Sequence, residues 1–180
     1  MKIKYFVILL FTTMLLNAQK KGNFKLKVGD DFPKFNLKTV DGNFVTSEDI
    51  EGSVVFFNLW FIRCKPCRDE IPELNKLKEL YGDDVIFISA TFEHTDDVNK
   101  FLNQNDFFFD YMAVEASSFL KNEIGNVSYP KNIIIDEWGT IRVIKKGLPY
   151  RTVVTLDEKV VKDKADYTYF AKYLNDILDY

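Results

Sequence analysis

The residues of this chain that could do chemistry are its two cysteines, which lie in the run Cys64-Lys65-Pro66-Cys67. A disulfide that closes so short a loop removes only about 2 kcal/mol of unfolded-chain entropy, against about 5 kcal/mol for a loop of about 100 residues. Such a bridge is a weak structural staple. A structural zinc ion needs about four ligands, and His94 is the only histidine that could join these thiols. The spacing instead favours reversible thiol-disulfide exchange.

The residues around the pair predict that a helix begins at the cysteines. Cys64 then lies in the first turn, where unpaired main-chain N–H groups and the positive end of the helix dipole stabilise a thiolate. Cys67 follows one turn later on the same face, so we expect Cys64 to attack and Cys67 to resolve. Pro66 suits a first helical turn, where a missing N–H costs nothing. The nearby cations Arg63, Lys65 and Arg68 either add positive potential around the sulfur or are simply solvated surface side chains. We expect Lys65 and Arg68 to be solvated.

Two predicted elements position the cysteines, a buried strand before them and a helix after them. Residues 54–60 form an almost unbroken apolar run, which is typical of a central strand covered on both faces. From Cys64 to Gly82 the apolar residues recur at helical spacing with charged residues between them: Ile71, Leu74, Leu77 and Tyr81. The strand should therefore lead directly into the CxxC helix.

The rest of the chain predicts one α/β domain with a mixed sheet. Asp41-Gly42 is a strong hairpin signal within residues 35–46. Further strands are predicted at 85–90, within 107–114, and at 132–136 paired as a hairpin with 140–145. Helices are predicted from an N-cap at Thr95 to residue 103, over 117–124 with Gly125 as the stop, and at the end, where one face carries Tyr167, Phe170, Leu174 and Ile177. Residues 147–164 receive no assignment.

Composition and the first residues bound the class of protein. The 180 residues are 47% hydrophobic and 28% charged with a net charge of -3, which indicates a globular domain and gives no nucleic-acid surface. Lys2 and Lys4 precede an apolar run over 5–16 and a small residue at Ala18, an outline of a secretory signal peptide. The run is shorter than the ~20 residues of a membrane-spanning helix, although an uncleaved anchor is the alternative. We expect a leader at 1–18 and one domain at 19–180.

Three segments of the chain together match one known pattern. They are residues 60–72, from Trp60 through the cysteines to Pro72, residues 28–33 with Asp41-Gly42, and Tyr129-Pro130 before the apolar run at 133–135. In this order they resemble the active-site segment, the opening hairpin, and the cis-proline loop with its following strand of the thioredoxin-like proteins of the TlpA/ResA type. Those proteins are exported thiol-disulfide oxidoreductases of the redoxin (AhpC-TSA) superfamily. The resemblance covers about residues 29–147 and implies a thioredoxin-like fold.

The resemblance also implies roles for residues outside the CxxC motif. Pro130 is expected to be cis and to lie beside the cysteines, with Tyr129 offering its main chain to a partner. Glu70 matches an acidic residue close to the active cysteines, and it is either a buried proton relay for Cys67 or an exposed charge at a helix start. Asn58 stands where thioredoxin carries a buried acid, so any relay must come from Glu70. Trp60 is a candidate partner contact, with a core position as the alternative.

The function implied is a protein-disulfide reductase that acts on exported proteins, including apocytochrome c thiols, in the periplasm or a similar compartment. Its redox group is the cysteine pair itself, with no further cofactor and no metal, and a membrane protein is expected to deliver electrons. Arg63 stands where many relatives have a tryptophan, so the resemblance does not identify the client protein. One alternative is a thiol peroxidase of the peroxiredoxin type, which needs a Pro and a Thr just before its cysteine, where Phe61, Ile62 and Arg63 supply neither. The other alternative is a non-catalytic binding module on the same fold.

Overall fold

The computed structural model describes residues 23–154 and 160–179. The predicted leader at 1–18 lies outside the described residues. Across the described ranges, no helix is both long enough and apolar enough to cross a membrane.

The predicted N-terminal hairpin is confirmed. Strands β1 (Asn36–Lys38) and β2 (Phe44–Thr46) pair antiparallel, and the turn between them contains Asp41 and Gly42. Gly42 has φ +87°, a conformation that glycine adopts without steric cost, which is why this dipeptide favours a hairpin.

A five-stranded mixed sheet forms the centre of the fold, in the order β5-β4-β3-β6-β7. Its strands are β3 (Val54–Leu59), β4 (Val85–Ala90), β5 (Tyr111–Ala113), β6 (Lys131–Ile135) and β7 (Ile141–Lys145). β3 pairs parallel with β4 and antiparallel with β6, so the sheet is mixed as predicted. Every residue of β3 is buried, because the strand is central and both faces of the sheet are covered.

Helices cover both faces of this sheet. α1 (Lys65–Tyr81) follows β3, α2 (Thr95–Leu102) follows β4, α3 (Ser117–Phe119) follows β5, and α4 (Thr168–Leu178) closes the described chain. The side chains of α1 and α4 join the even-numbered residues of β3 in one core, while the hairpin and residues near α3 join the odd-numbered residues in another. The alternation follows from the period of two along a strand.

One helix boundary needs correction, and a second helix prediction is confirmed. Thr95 is not an N-cap, because His94 occupies that position and Thr95 is the first helical residue, with its hydroxyl donating to Glu115 Oε1 at 2.9 Å. The helix predicted over 117–124 is confirmed, because α3 continues without a break into a π-helical turn, Leu120–Ile124. Gly125 ends this segment as predicted, with φ +84°.

The segment that the sequence left unassigned contains two strands. β8 (Tyr150–Val154) and β9 (Val160–Lys164) pair antiparallel in a separate sheet between β7 and α4.

The packing of α4 on the sheet yields a stability prediction. Phe170 is fully buried, and its ring lies 5.2 Å from the ring of Phe56 in an edge-to-face arrangement. Phe170→Ala should lower the free energy of unfolding by about 3–5 kcal/mol, because a cavity remains where the ring was. Phe44→Ala, at a ring that is 60% exposed, should cost about 1 kcal/mol or less. Denaturant unfolding of both oxidised variants measures the difference, and equal losses would contradict the packing of α4.

Candidate active site

The two cysteines form a disulfide at the start of α1. Cys64 is the N-cap residue and Cys67 lies in the first helical turn, with their Cα atoms 5.2 Å apart. Cys64 Sγ accepts a hydrogen bond from the main-chain N–H of Cys67 at 3.2 Å. The sulfur therefore takes the place of the oxygen that usually caps a helix, at the positive end of the dipole. This position favours a thiolate at Cys64 once the pair is reduced.

Exposure separates the residues of the motif into an outer and an inner group. Pro66, in the first turn of α1, is exposed, as are the cations Arg63, Lys65 and Arg68. The Lys65 ammonium lies 2.9 Å from Asp69, one turn further along α1, and its side chain is 76% exposed. Screening by solvent leaves such a pair with little net energy, which agrees with the solvated alternative for Lys65.

Glu70 is fully buried on the inner side of α1. The sequence left open whether this carboxyl group is buried or exposed, and the structure shows that it is buried. Asn58 of β3 and Asn132 of β6 each donate a side-chain N–H to Glu70 Oε1, at 3.3 and 3.2 Å. The main-chain N–H of Leu148 donates to Oε2 at 3.0 Å. A buried charge needs such compensation, since an unpaired carboxylate loses its hydration without replacement.

Gly147 lets the chain after β7 reach this carboxyl group. It has φ +115°, and a Cβ built on it would lie 2.6 Å from Glu70 Oε2 and 2.6 Å from Pro130 Cγ. Any larger residue would therefore displace the carboxylate or the proline ring. The side chains of Glu70 and Pro130 therefore both lie against the main chain at Gly147.

The Tyr129-Pro130 peptide bond is cis, as predicted. Pro130 is buried and precedes the first residue of β6, Lys131, which pairs with Leu59 near the end of β3. Tyr129 is half-buried, and burial raises the pKa of its hydroxyl above the ordinary value, so the group is neutral.

An aromatic cluster lies between the cis-proline loop and the segment before the cysteines. The ring of Phe61 lies 5.2 Å from that of Tyr129 and 5.7 Å from that of Phe92, and Phe92 is 42% exposed. The carbonyl of Phe61 accepts a hydrogen bond from the N–H of Cys64 at 3.0 Å. This cluster is an apolar surface connected through Phe61 to the main chain of Cys64.

Trp60 occupies the core position that the sequence left as its alternative. Its side chain is 1% exposed and packs between Phe101 and Phe107, with ring centroids 5.1 and 5.2 Å away. It offers almost no surface to a partner. His94, the single histidine, is exposed at the start of α2. Among residues 23–154 and 160–179, no group of three or more His, Cys, Asp or Glu side chains could hold a metal ion.

Sequence reasoning missed Asn132, Leu148 and Phe92 as parts of this site. Asn132 carried a usable signal, since an amide among the isoleucines of a buried strand needs a polar partner. Leu148 contributes through its main chain, which leaves no trace in residue type. Phe92 lies far from Phe61 and Tyr129 in sequence, and only the fold brings its ring beside theirs.

Most of this chain is similar in sequence to known proteins. Residues 28–144 match the AhpC/TSA family. The chain is 28% identical over 156 residues to the thioredoxin-like protein YneN of Bacillus subtilis, covering 84% of this chain and 86% of that one. It is 30% identical over 142 residues to the thiol-disulfide oxidoreductase ResA of Bacillus thuringiensis, covering 77% and 79%.

A solved structure resembles the fold. The thioredoxin domain of a thiol-disulfide oxidoreductase from Bacteroides vulgatus superposes with a TM-score of 0.63 at 21% identity, covering 84% of this chain and 100% of that domain. This likeness confirms the thioredoxin-like architecture predicted from the sequence.

The N-cap position of Cys64 predicts which thiol attacks. With Cys67→Ser, a mixed disulfide with a client should accumulate because no thiol is present to resolve it, whereas Cys64→Ser should trap almost none. Non-reducing electrophoresis after mixing each reduced variant with a disulfide-bonded client measures the adduct. If Cys64→Ser traps the client and Cys67→Ser does not, the roles are reversed.

Proposed function

The chain belongs to the AhpC/TSA family and is a thiol-disulfide oxidoreductase, and from this premise we propose that it works as a protein-disulfide reductase. The observation that carries the proposal is the position of Cys64 at the N-cap of α1, where its sulfur accepts the N–H of Cys67. A thiolate stabilised there is a ready nucleophile at neutral pH.

The proposed reaction passes two electrons from the cysteine pair to a client disulfide. The Cys64 thiolate attacks one client sulfur, which forms a mixed disulfide and releases the other client sulfur as a thiolate. Cys67 then loses its proton and attacks Cys64 Sγ, which breaks the mixed disulfide and releases the second client thiolate. The client ends as a dithiol and the protein as the Cys64–Cys67 disulfide seen in the structure. A donor dithiol, which we assign to a membrane protein, restores the reduced pair.

Glu70 is proposed to take the proton from Cys67 in the second step. It lies three residues after Cys67 on α1, so the two side chains share a face of the helix. Both are buried, at 0% and 1% exposure, where solvent cannot easily act as the base. A carboxylate there also makes a second negative charge costly and so raises the pKa of the Cys67 thiol until attack is required.

Tyr129 and Pro130 are proposed to contact the client chain. Pro130 has no N–H, so it makes no competing hydrogen bond beside an extended client segment. The Phe61, Phe92 and Tyr129 rings supply an adjacent apolar surface for client side chains. Trp60 supports this surface from the core rather than touching a client.

The compartment is proposed from the first residues. Residues 1–18 have the pattern of a secretory leader, so residues 19–180 would act as one thioredoxin-like domain in the periplasm or a similar exported compartment. Clients would be exported proteins with disulfides, including apocytochrome c, whose cysteines must be reduced before haem is attached.

A reduction assay tests the proposal. Reduced protein should speed the reduction of insulin disulfides, Cys64→Ser should abolish this activity, and titration against glutathione should give a potential below roughly -220 mV. A potential near roughly -120 mV, with oxidation of reduced clients, would instead indicate an oxidase. Turnover of hydrogen peroxide without disulfide reduction would favour the thiol peroxidase, and absence of two alkylatable thiols after reduction would favour the binding module.

Replacement of Glu70 tests its proposed role. Glu70→Gln keeps the shape but removes both the negative charge and the proton acceptor. Cys67 should then titrate at lower pH while turnover falls by about 10²-fold or more, as expected for loss of a general base. Thiolate absorbance and insulin reduction followed across pH measure the two effects. Curves that superimpose on those of the wild type would make Glu70 a structural residue.

A further inference from the structure

Two asparagines are buried side by side in the centre of the sheet. Asn58 is 2% exposed and Asn132 is 0% exposed, and the register of β3 and β6 places them directly opposite one another. Asn58 Nδ2 donates to Asn132 Oδ1 at 2.7 Å. Burying amides costs free energy unless they are hydrogen-bonded, and apolar residues would fill these strand positions without that cost. The pair therefore calls for a function other than packing.

The amide pair presents donors to one carboxylate. Both Nδ2 groups point at Glu70 Oε1, and the Leu148 N–H points at Oε2. An ionised carboxylate accepts at both oxygens, whereas a carboxylic acid must donate from one of them. Donors to both oxygens of Glu70 therefore stabilise its carboxylate form, whereas burial by itself favours the neutral acid.

Gly147 fixes the distance on the Oε2 side. The space for a Cβ is already filled by Glu70 Oε2 and Pro130 Cγ, each 2.6 Å from its ideal position. The main chain can bring the Leu148 N–H to the carboxylate only because residue 147 has no side chain.

We infer that Asn58, Asn132 and Gly147 are positioning residues that hold Glu70 ionised and oriented for proton transfer from Cys67. This inference rests on the proposed function, since it assigns the supports of the base proposed there. Removing a donor weakens the carboxylate form, so Glu70 keeps its proton to a higher pH. The acid side of the pH–rate profile then moves upward.

Within the described residues, charged side chains of α1, β6 and β7 make contacts elsewhere. β3 carries no titratable residue, and Cys67 is the group that exchanges the proton. Lys131 of β6 faces the other side of the sheet, with its ammonium 4.6 Å from the Phe24 ring centroid. Lys145 of β7 lies 5.1 Å from the ring of Tyr173 of α4, and Glu73 of α1 accepts the N–H of Tyr167 at 3.1 Å.

The experiment is a double-mutant cycle on full-length protein, read out as the pH profile of insulin reduction and of thiolate absorbance. Asn132→Ala should move the acid side of the profile upward by about one pH unit, since a donor to a charged group is lost. In the Glu70→Gln background the same change should give no further shift. Asn75→Ala is the matched control, because Asn75 is also buried and hydrogen-bonded but serves the main chain of Asp106, and it should leave the profile in place.

A glycine pair gives a second, independent arm. Gly147→Ala and Gly139→Ala both place a side chain at positive φ, but only the first has atoms within 4 Å of the new Cβ. Both should lose stability through backbone strain, while Gly147→Ala alone should also shift the profile. This arm decides the matter if Asn132→Ala does not fold.

The outcomes separate the two proposals. If Glu70→Gln changes the profile but neither Asn132→Ala nor Gly147→Ala does, the positioning roles are wrong and the base remains. Equal shifts from Asn132→Ala with and without Glu70 would show that Asn132 acts elsewhere, and would also overturn the inference. Failure of the wild type to reduce insulin would instead overturn the proposed function itself.

Discussion

The buried carboxyl group of Glu70 is the point on which the arrangement of this site depends. A buried carboxyl group without hydration must be met by protein donors, and here donors come from β3, from β6 and from the chain after β7. Those donors can converge only if α1 lies across these strands and if a glycine precedes Leu148. The need to satisfy one carboxyl group thus joins elements that lie far apart in sequence, about one helical turn from Cys67.

The same geometry explains why the redox pair lies at this end of the sheet. β3 is central, so its direction fixes where α1 begins, and the helix start gives Cys64 the unpaired N–H groups that favour a thiolate. β6 runs antiparallel beside β3, which brings the cis-proline loop at its start to the end of β3. The order and direction of the strands therefore place the cysteine pair, the cis-proline loop and the start of the helix that carries Glu70 at the same end of the sheet.

Much of the fold was predictable because its signals are local. The apolar run of β3, the helical period of α1 and the turn at Gly42 each express a preference that neighbouring residues reinforce. The N-cap of α2 was misplaced because the hydroxyl of Thr95 finds a partner in Glu115, twenty residues away, instead of in its own helix. The support of Glu70 by Asn132 and Leu148 was not predictable, since it depends on strand register and on a main-chain N–H.

The structure also separates the surface that meets a client from the buried groups beside Cys67. A dithiol enzyme must set client recognition and proton transfer independently. Residues at the outer surface of the motif, Arg63, Lys65, Pro66 and Arg68, meet solvent and can alter client encounter without disturbing the core. Glu70 and its amide donors are buried, and in the proposed mechanism they act only on the proton of Cys67. Cys64 and Cys67 join the two regions across a single helical turn, with 5% and 1% exposure. In the proposed mechanism the client reaches only the outer sulfur and the proton leaves from the inner one, so changes in client recognition need not alter the chemistry of resolution.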